Sequence, residues 1–231
     1  MKTVGIVGGI GPESTIEYYR FLIAGYRART GDLHYPRILI DSIDLTKMLG
    51  LVAAQEIEAL VDDLAGEVRR LVRAGADFVV LASNTPHLVF DELRDRSPVP
   101  MISIVEAAAE AAQARGLTKV GLLGTRSTMQ GRFYPEVFAK RGLVVVAPRE
   151  ADQAYVHEKY MGELVPGVLL PETRDGLLAV VRRLRERDAV EGVVLGGTEL
   201  PLILRDAPDP GVPFLDTTRI HVERILDEML A

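Results

Sequence analysis

Phe78-Val79-Val80-Leu81-Ala82-Ser83-Asn84-Thr85-Pro86-His87 and Val193-Val194-Leu195-Gly196-Gly197-Thr198-Glu199-Leu200 are built alike. Each opens with a continuous apolar run and breaks into small polar residues. A run of that kind reads as a strand of a parallel sheet covered on both faces. The polar break is then the carboxyl end of the strand, where ligands sit in open α/β sheets. Ser83 and Gly197 lie 114 residues apart, about half of the 231-residue chain. Gly5-Ile6-Val7-Gly8 and Gly121-Leu122-Leu123-Gly124 are offset by 116. Two nearly equal offsets point to internal duplication.

Working outward, Thr3–Val7 reads as a strand, followed by a glycine turn and a helix to about Arg29. That geometry aims backbone N–H groups at an anion. The spacing matches neither G-x-G-x-x-G nor a P-loop, so Gly9 belongs to a tight turn or a carboxylate cradle, not to a nucleotide site. Arg37–Ile43 reads as a strand, 45–52 as a loop over the sheet end, and Ala53–Ala74 as a helix stopped by Gly75. A helix spans about 86–96, and Ser97-Pro98-Val99-Pro100 marks a first crossing between halves. In the second half the strands are Lys119–Leu123, Val144–Ala147 and Val193–Leu195. The helices run from the Gly124 turn to about Arg141, over Asp152–Glu163 and over Glu172–Arg187. The run Arg182–Glu191 is a solvated helix face. Ala207–Gly211 reads as the second crossing, and Phe214–Thr218 starts a last helix, with Asp216 or Thr217 as its N-cap. The fold class is α/β, two similar doubly wound parallel-sheet domains: residues 1–98 with 212–231, and residues 99–211.

Composition narrows the function. A net charge of −6 argues against nucleic acid or an anionic membrane as partner. No apolar run reaches membrane-spanning length. The start enters a strand without a signal-peptide pattern, so a cytoplasmic location is expected. There are no cysteines, which removes disulfides and every thiol nucleophile or base. Four scattered histidines form no metal-ligand pattern, and no metal site is expected.

Gly8-Gly9-Ile10-Gly11-Pro12-Glu13-Ser14-Thr15 with Tyr18-Tyr19, Ser83-Asn84-Thr85-Pro86-His87, Gly121–Thr125 with Thr128-Met129 and Phe133-Tyr134, Gly196–Leu200, and Asp216-Thr217-Thr218 with His221 occur in one order. Taken together they resemble the aspartate/glutamate racemase family, the pyridoxal-phosphate-independent amino-acid racemases. The resemblance implies two domains related by pseudo-twofold symmetry, a site in the cleft between them, no cofactor and frequent homodimers. It also implies two cysteines, one on each face of the substrate's α-carbon. One thiolate removes the α-proton and the other thiol returns a proton from the opposite side. Here Ser83 stands at the first cysteine position and Gly197 at the second. A thiol pKa near 8.5 can be lowered by several units in a polar site, whereas a serine hydroxyl needs an adjacent base. Glycine offers no group at all, so two-thiol racemisation is chemically absent.

The remaining candidates carry alternatives. Ser83 is a nucleophile or relay served by His87 or Glu199, or else it binds substrate or caps a helix. His87 is catalytic or bonded to the backbone. Glu199 is a general acid/base, an orienting group or structural. Gly197 enlarges the pocket or serves a turn with positive φ. Asn84, Thr85, Thr125, Ser127, Thr128 and Thr198 are carboxylate-binding candidates or ordinary caps. Arg126 meets a distal carboxylate or is a solvated loop charge. Tyr155, with Val156, His157 and Tyr160, occupies a helix where the resemblance suggests a basic residue near the site, or packs in the core. The functions weighed are an isomerase-type enzyme acting on a small amino or carboxylic acid, a redirected lyase, and a non-catalytic binder.

Overall fold

The computed structural model describes residues 1–31 and 34–231, which divide into two compact units: Met1–Ile104 with His221–Ala231, and Val105–Ile220. The first contains β1 (Val4–Gly8), α1 (Pro12–Thr30), β2 (Ile38–Ser42), α2 (Leu45–Ala53), α3 (Ile57–Arg73), β3 (Phe78–Leu81), a 3-10 turn (Thr85–Val89), α4 (Phe90–Arg96) and β4 (Met101–Ile102). The second follows with α5 (Ile104–Ala114), β5 (Lys119–Gly124), α6 (Arg126–Gln130), α7 (Phe133–Ala139), β6 (Val144–Val146), α8 (Glu150–Lys159), a π segment (Tyr160–Leu164), α9 (Pro171–Asp188), β7 (Gly192–Gly196), α10 (Leu200–Leu204) and β8 (Phe214–Asp216). α11 (Thr217–Leu230) then returns the chain to the first unit.

Among the described residues each unit holds a four-stranded parallel sheet, ordered β2-β1-β3-β4 in one and β6-β5-β7-β8 in the other. The repeated order carries the duplication suggested by the sequence offsets. In the first unit alternate residues of β1 and β3 enter different cores, as a strand's two-residue period requires. Val4, Ile6, Phe78 and Val80 pack with Tyr18, Leu22 and Tyr26 of α1 and with Val222, Ile225 and Leu226 of α11. Val7, Val79 and Leu81 pack with Leu60, Leu64 and Val68 of α3. In the second unit Leu123, Val193 and Leu195 join a core built from α8, α9 and α10, including Val156, Leu177, Val181 and Leu200. No helix among the described residues is long and apolar enough to cross a membrane.

Several local expectations change. Residues 45–52 are not a loop. They lie in α2, whose Asp44 carboxylate accepts from Thr46 and Lys47 N–H at 2.8 and 3.3 Å. Leu45, Met48, Leu49 and Val52 have helical spacing and reach the core, although Gly50 weakens the pattern. Gln55, with φ of 57°, separates α2 from α3, so the expected helix from Ala53 starts at Ile57. The helix expected to reach Arg141 breaks after Gln130, where Gly131 caps α6. Phe214–Asp216 is the edge strand β8, and the final helix begins at Thr217. Asp216 caps it, accepting from Arg219 N–H at 3.1 Å. The crossings fall later than the breakers at 97–100 and 207–211. β4 pairs with β3 and β8 with β7, so ladder hydrogen bonds hold the chain in each unit until Ile104 and Ile220.

Central and edge positions should differ sharply in stability. Leu81→Ala in β3, fully buried, is expected to cost about 2–5 kcal/mol in urea unfolding. Val144→Ala on edge strand β6, 54% exposed, should stay within about 0.5 kcal/mol.

Candidate functional site at the carboxyl strand ends

In a sheet ordered 2-1-3-4 the chain leaves β1 in one direction and β3 in the other. Their carboxyl ends diverge there and open a crevice. In the first unit this switch point is flanked by Gly8-Gly9 and by Ala82-Ser83. In the second, by the same rule, it lies beside Gly124-Thr125 and Gly196-Gly197.

Gly9 makes a tight turn with φ of +80°, and a Cβ there would lie 2.6 Å from Ser42 Oγ. Its N–H donates to Thr15 Oγ1 at 2.9 Å, so this amide serves the turn and not a carboxylate. Ser83, Asn84 and Thr85 are buried just beyond β3. The Ser83 hydroxyl has no hydrogen-bond partner among the described residues, and it does not cap the turn, whose N-cap is Asn84. His87 cannot activate it. The His87 ring lies 2.9 Å from Ser83 O through Nδ1 and accepts the Ile104 N–H through Nε2 at 3.2 Å. The second bond requires an unprotonated Nε2, so the proton sits on Nδ1 and both nitrogens are held by backbone. Complete burial, with His221 nearby, lowers the His87 pKa to about 3. The ring also stacks on Phe90, with centroids 4.8 Å apart.

His221 is held in a similar way. Nδ1 accepts from Tyr18 Oη at 2.8 Å, and Nε2–H donates to Ile102 O at 3.1 Å. Burial lowers its pKa to about 4. Tyr18 and His221, from opposite ends of the sequence, thus bolt α1, α11 and β4 together.

In the second unit Thr125 caps α6. Its hydroxyl accepts from Thr128 N–H at 3.2 Å and pairs with Thr128 Oγ1 at 3.1 Å. Ser127 O accepts from Gly131 N–H at 3.0 Å. Arg126 is exposed, and its backbone N–H donates to His157 Nδ1 at 3.2 Å. At the end of β7, Thr198 and Glu199 are each only 1% exposed. The Glu199 carboxylate receives the Tyr160 phenol and, at 3.1 Å, the Thr198 hydroxyl, both on Oε2. Burial first, and then Glu199, raises the Tyr160 pKa well above 10.

Gly197 neither adopts positive φ nor opens a pocket. A Cβ there would lie 2.9 Å from Tyr160 Cζ and 3.0 Å from its hydroxyl oxygen, with Cε2 nearer still. The tyrosine ring fills the space that a side chain at 197 would need. Tyr155 packs its hydroxyl against Gly176 of α9, which is the core-packing alternative for that residue.

The Asp/Glu/hydantoin racemase profile matches residues 7–225. The chain belongs to that family. It is 25% identical over 234 residues to the broad-specificity amino-acid racemase of Bacillus subtilis, covering 99% of this chain and 98% of that one. It is 31% identical over 174 residues to the glutamate racemase of Thermus thermophilus, covering 72% of this chain and 61% of the relative. The crystal structure of an aspartate racemase homologue from Pyrococcus horikoshii superposes with a TM-score of 0.84 at 35% identity, over the whole of both chains.

Within this Asp/Glu racemase family member, Asn84 and Thr85 join Ser83 beyond β3, and Thr198 and Glu199 join Gly197 beyond β7. Tyr160, which the sequence places only on a helix near the site or in the core, is the residue that meets Gly197 and Glu199. It lies 37 residues before Gly197, at no recurring spacing.

The two buried histidines predict acid lability. Unfolding returns each from a pKa of about 3 or 4 to the ordinary 6.5, so the unfolded chain binds more protons below that value. Stability should be flat above pH 6.5 and fall below it, by about 1.4 kcal/mol per pH unit for each histidine. The half-buried His157, lowered by burial and by Arg126, adds less. Urea midpoints between pH 5 and 7 check this, and His87→Gln should remove one histidine's share of the slope.

Proposed function

We propose that this family member binds a small amino acid or other small carboxylic acid and exchanges the proton on the carbon next to the carboxylate, on one face and without thiols. The observation that carries the reading is Glu199. It is a buried carboxylate held by two hydroxyls at the carboxyl end of β7, in a chain with no cysteine. A carboxylate fixed in a dry site is a competent general base. Ser83 offers an uncommitted hydroxyl but no base, and Gly197 offers no group. Inversion needs an acid/base on each face, because a single base tends to return the proton to the side it left. Exchange with retention is therefore the expected outcome.

The locked His87 favours a second reading, a homologue that binds the acid without chemistry. Both are tested by incubating the protein in heavy water with L- and D-aspartate, L- and D-glutamate and the other amino acids, following the α-proton by NMR. Loss of the α-proton without inversion is expected for at least one acid. Racemisation at ordinary enzymatic rates would overturn the one-sided reading, and binding shifts without exchange would select the binder. Glu199→Gln should slow exchange about 10²-fold or more and leave the dissociation constant within about threefold.

A further inference from the structure

Glu199 does not stand alone beyond the carboxyl end of β7. Its Oε2 is covered by the Tyr160 phenol, and the same ring occupies the side-chain space of Gly197, the position that the family resemblance gives to the second thiol. The phenol oxygen would stand 3.0 Å from a Cβ at 197. A group placed one bond beyond that Cβ would fall among the atoms of the ring. Tyr160 therefore holds both the volume and the hydrogen-bonding place of the absent thiol.

We propose that Tyr160 is the atom-transferring half of a Tyr160–Glu199 proton relay that stands in for the second thiol. The ligand's C–H bond breaks and its proton passes to Tyr160 Oη. The phenol's own proton moves along the existing hydrogen bond to Glu199 Oε2. The electron pair stays on the ligand carbon, delocalised into the adjacent carboxylate. Return of the proton runs the same steps backward. No phenolate persists at any point, which suits a buried phenol whose proton is hard to remove outright.

The backbone supports this placement. Tyr160 opens a π segment, where its carbonyl accepts from Val165 N–H at 2.9 Å. Such segments inside α-helices redirect a side chain at the expense of regular hydrogen bonding and recur at functional sites. Glu163 braces the segment, accepting from Lys159 Nζ at 2.5 Å and from the Thr173 hydroxyl. Thr198, donating to the same Oε2 at 3.1 Å, fixes the carboxylate.

The relay rests on the proton-exchange reading above, and its test separates the two. Tyr160→Phe keeps the ring against Gly197 and removes only the hydroxyl. The α-proton exchange of the amino-acid panel in heavy water should fall by about 10²-fold or more, the range of general acid/base contributions. Ligand affinity should change less than about threefold. Glu199→Gln should give the same loss, and the double variant no further one, since groups acting as a unit are not additive. Tyr155→Phe, packed against α9, should exchange like the unaltered protein. Exchange unchanged in Tyr160→Phe, or lost only in Glu199→Gln, overturns the relay and leaves one-sided exchange standing. An unaltered protein that binds without exchanging any α-proton overturns the exchange reading, and the relay with it. Gly197→Ala supplies a second route should Tyr160→Phe not fold. Its methyl group must displace the ring, so exchange should drop at least tenfold, and an unchanged rate overturns the relay.

Discussion

Burial of the central strands on both faces is the constraint that everything else obeys. β1, β3 and β7 have no exposed residue, so each can carry only apolar or glycine positions along its length. Polar chemistry is expelled to where the strands stop. Parallel pairing sends all the carboxyl ends of one sheet to one edge, and the reversal of strand order beside β1 and β5 parts the loops that follow. The polar breaks at Ser83 and Gly197 lie at equivalent ends because β3 and β7 are equivalent strands, paired in register with β1 and β5.

That constraint is also what made the fold readable. A residue run covered on both faces must be apolar, so Phe78–Leu81 and Val193–Leu195 declare themselves in one dimension. Edge strands do not. β4 has two residues and β8 three, too few for any period, and their identity comes only from pairing with β3 and β7. The unit boundaries shifted for the same reason, since Pro98, Pro100 and Pro210 break the local chain but do not end a sheet. In α2 the apolar spacing was present and Gly50 obscured it.

The site was legible as a set of motifs and illegible as a set of contacts. Spacing shows that His87 follows Ser83 by one turn. It does not show that the Ile104 N–H takes Nε2 or that Ser83 O faces Nδ1, yet those two bonds decide that the ring is neutral and structural. Likewise a glycine at 197 reads as a turn or as empty space. Its actual meaning, a seat for the Tyr160 ring, depends on a residue from a different helical segment. Long-range complementarity of this kind leaves no signal in one chain read alone.

The two positions that the family resemblance gives to thiols thus differ in their surroundings. At 83 a hydroxyl remains, without a partner among the described residues, and the histidine one turn later stays bound to backbone. At 197 there is no side chain, and the Tyr160 ring, hydrogen-bonded to the Glu199 carboxylate, fills the space. An empty cavity of that size would forfeit dispersion contacts around its lining. Filling it with an aliphatic side chain would have met that packing need alone. A tyrosine instead brings a hydroxyl into the dry interior, which costs free energy unless it is hydrogen-bonded. Glu199 supplies the partner and is itself a charged-type group needing donors there. Each of the two polar groups makes the other tolerable. Packing alone would be served by phenylalanine and glutamine, so the ionisable pair at this position is the feature on which the proposed proton chemistry rests.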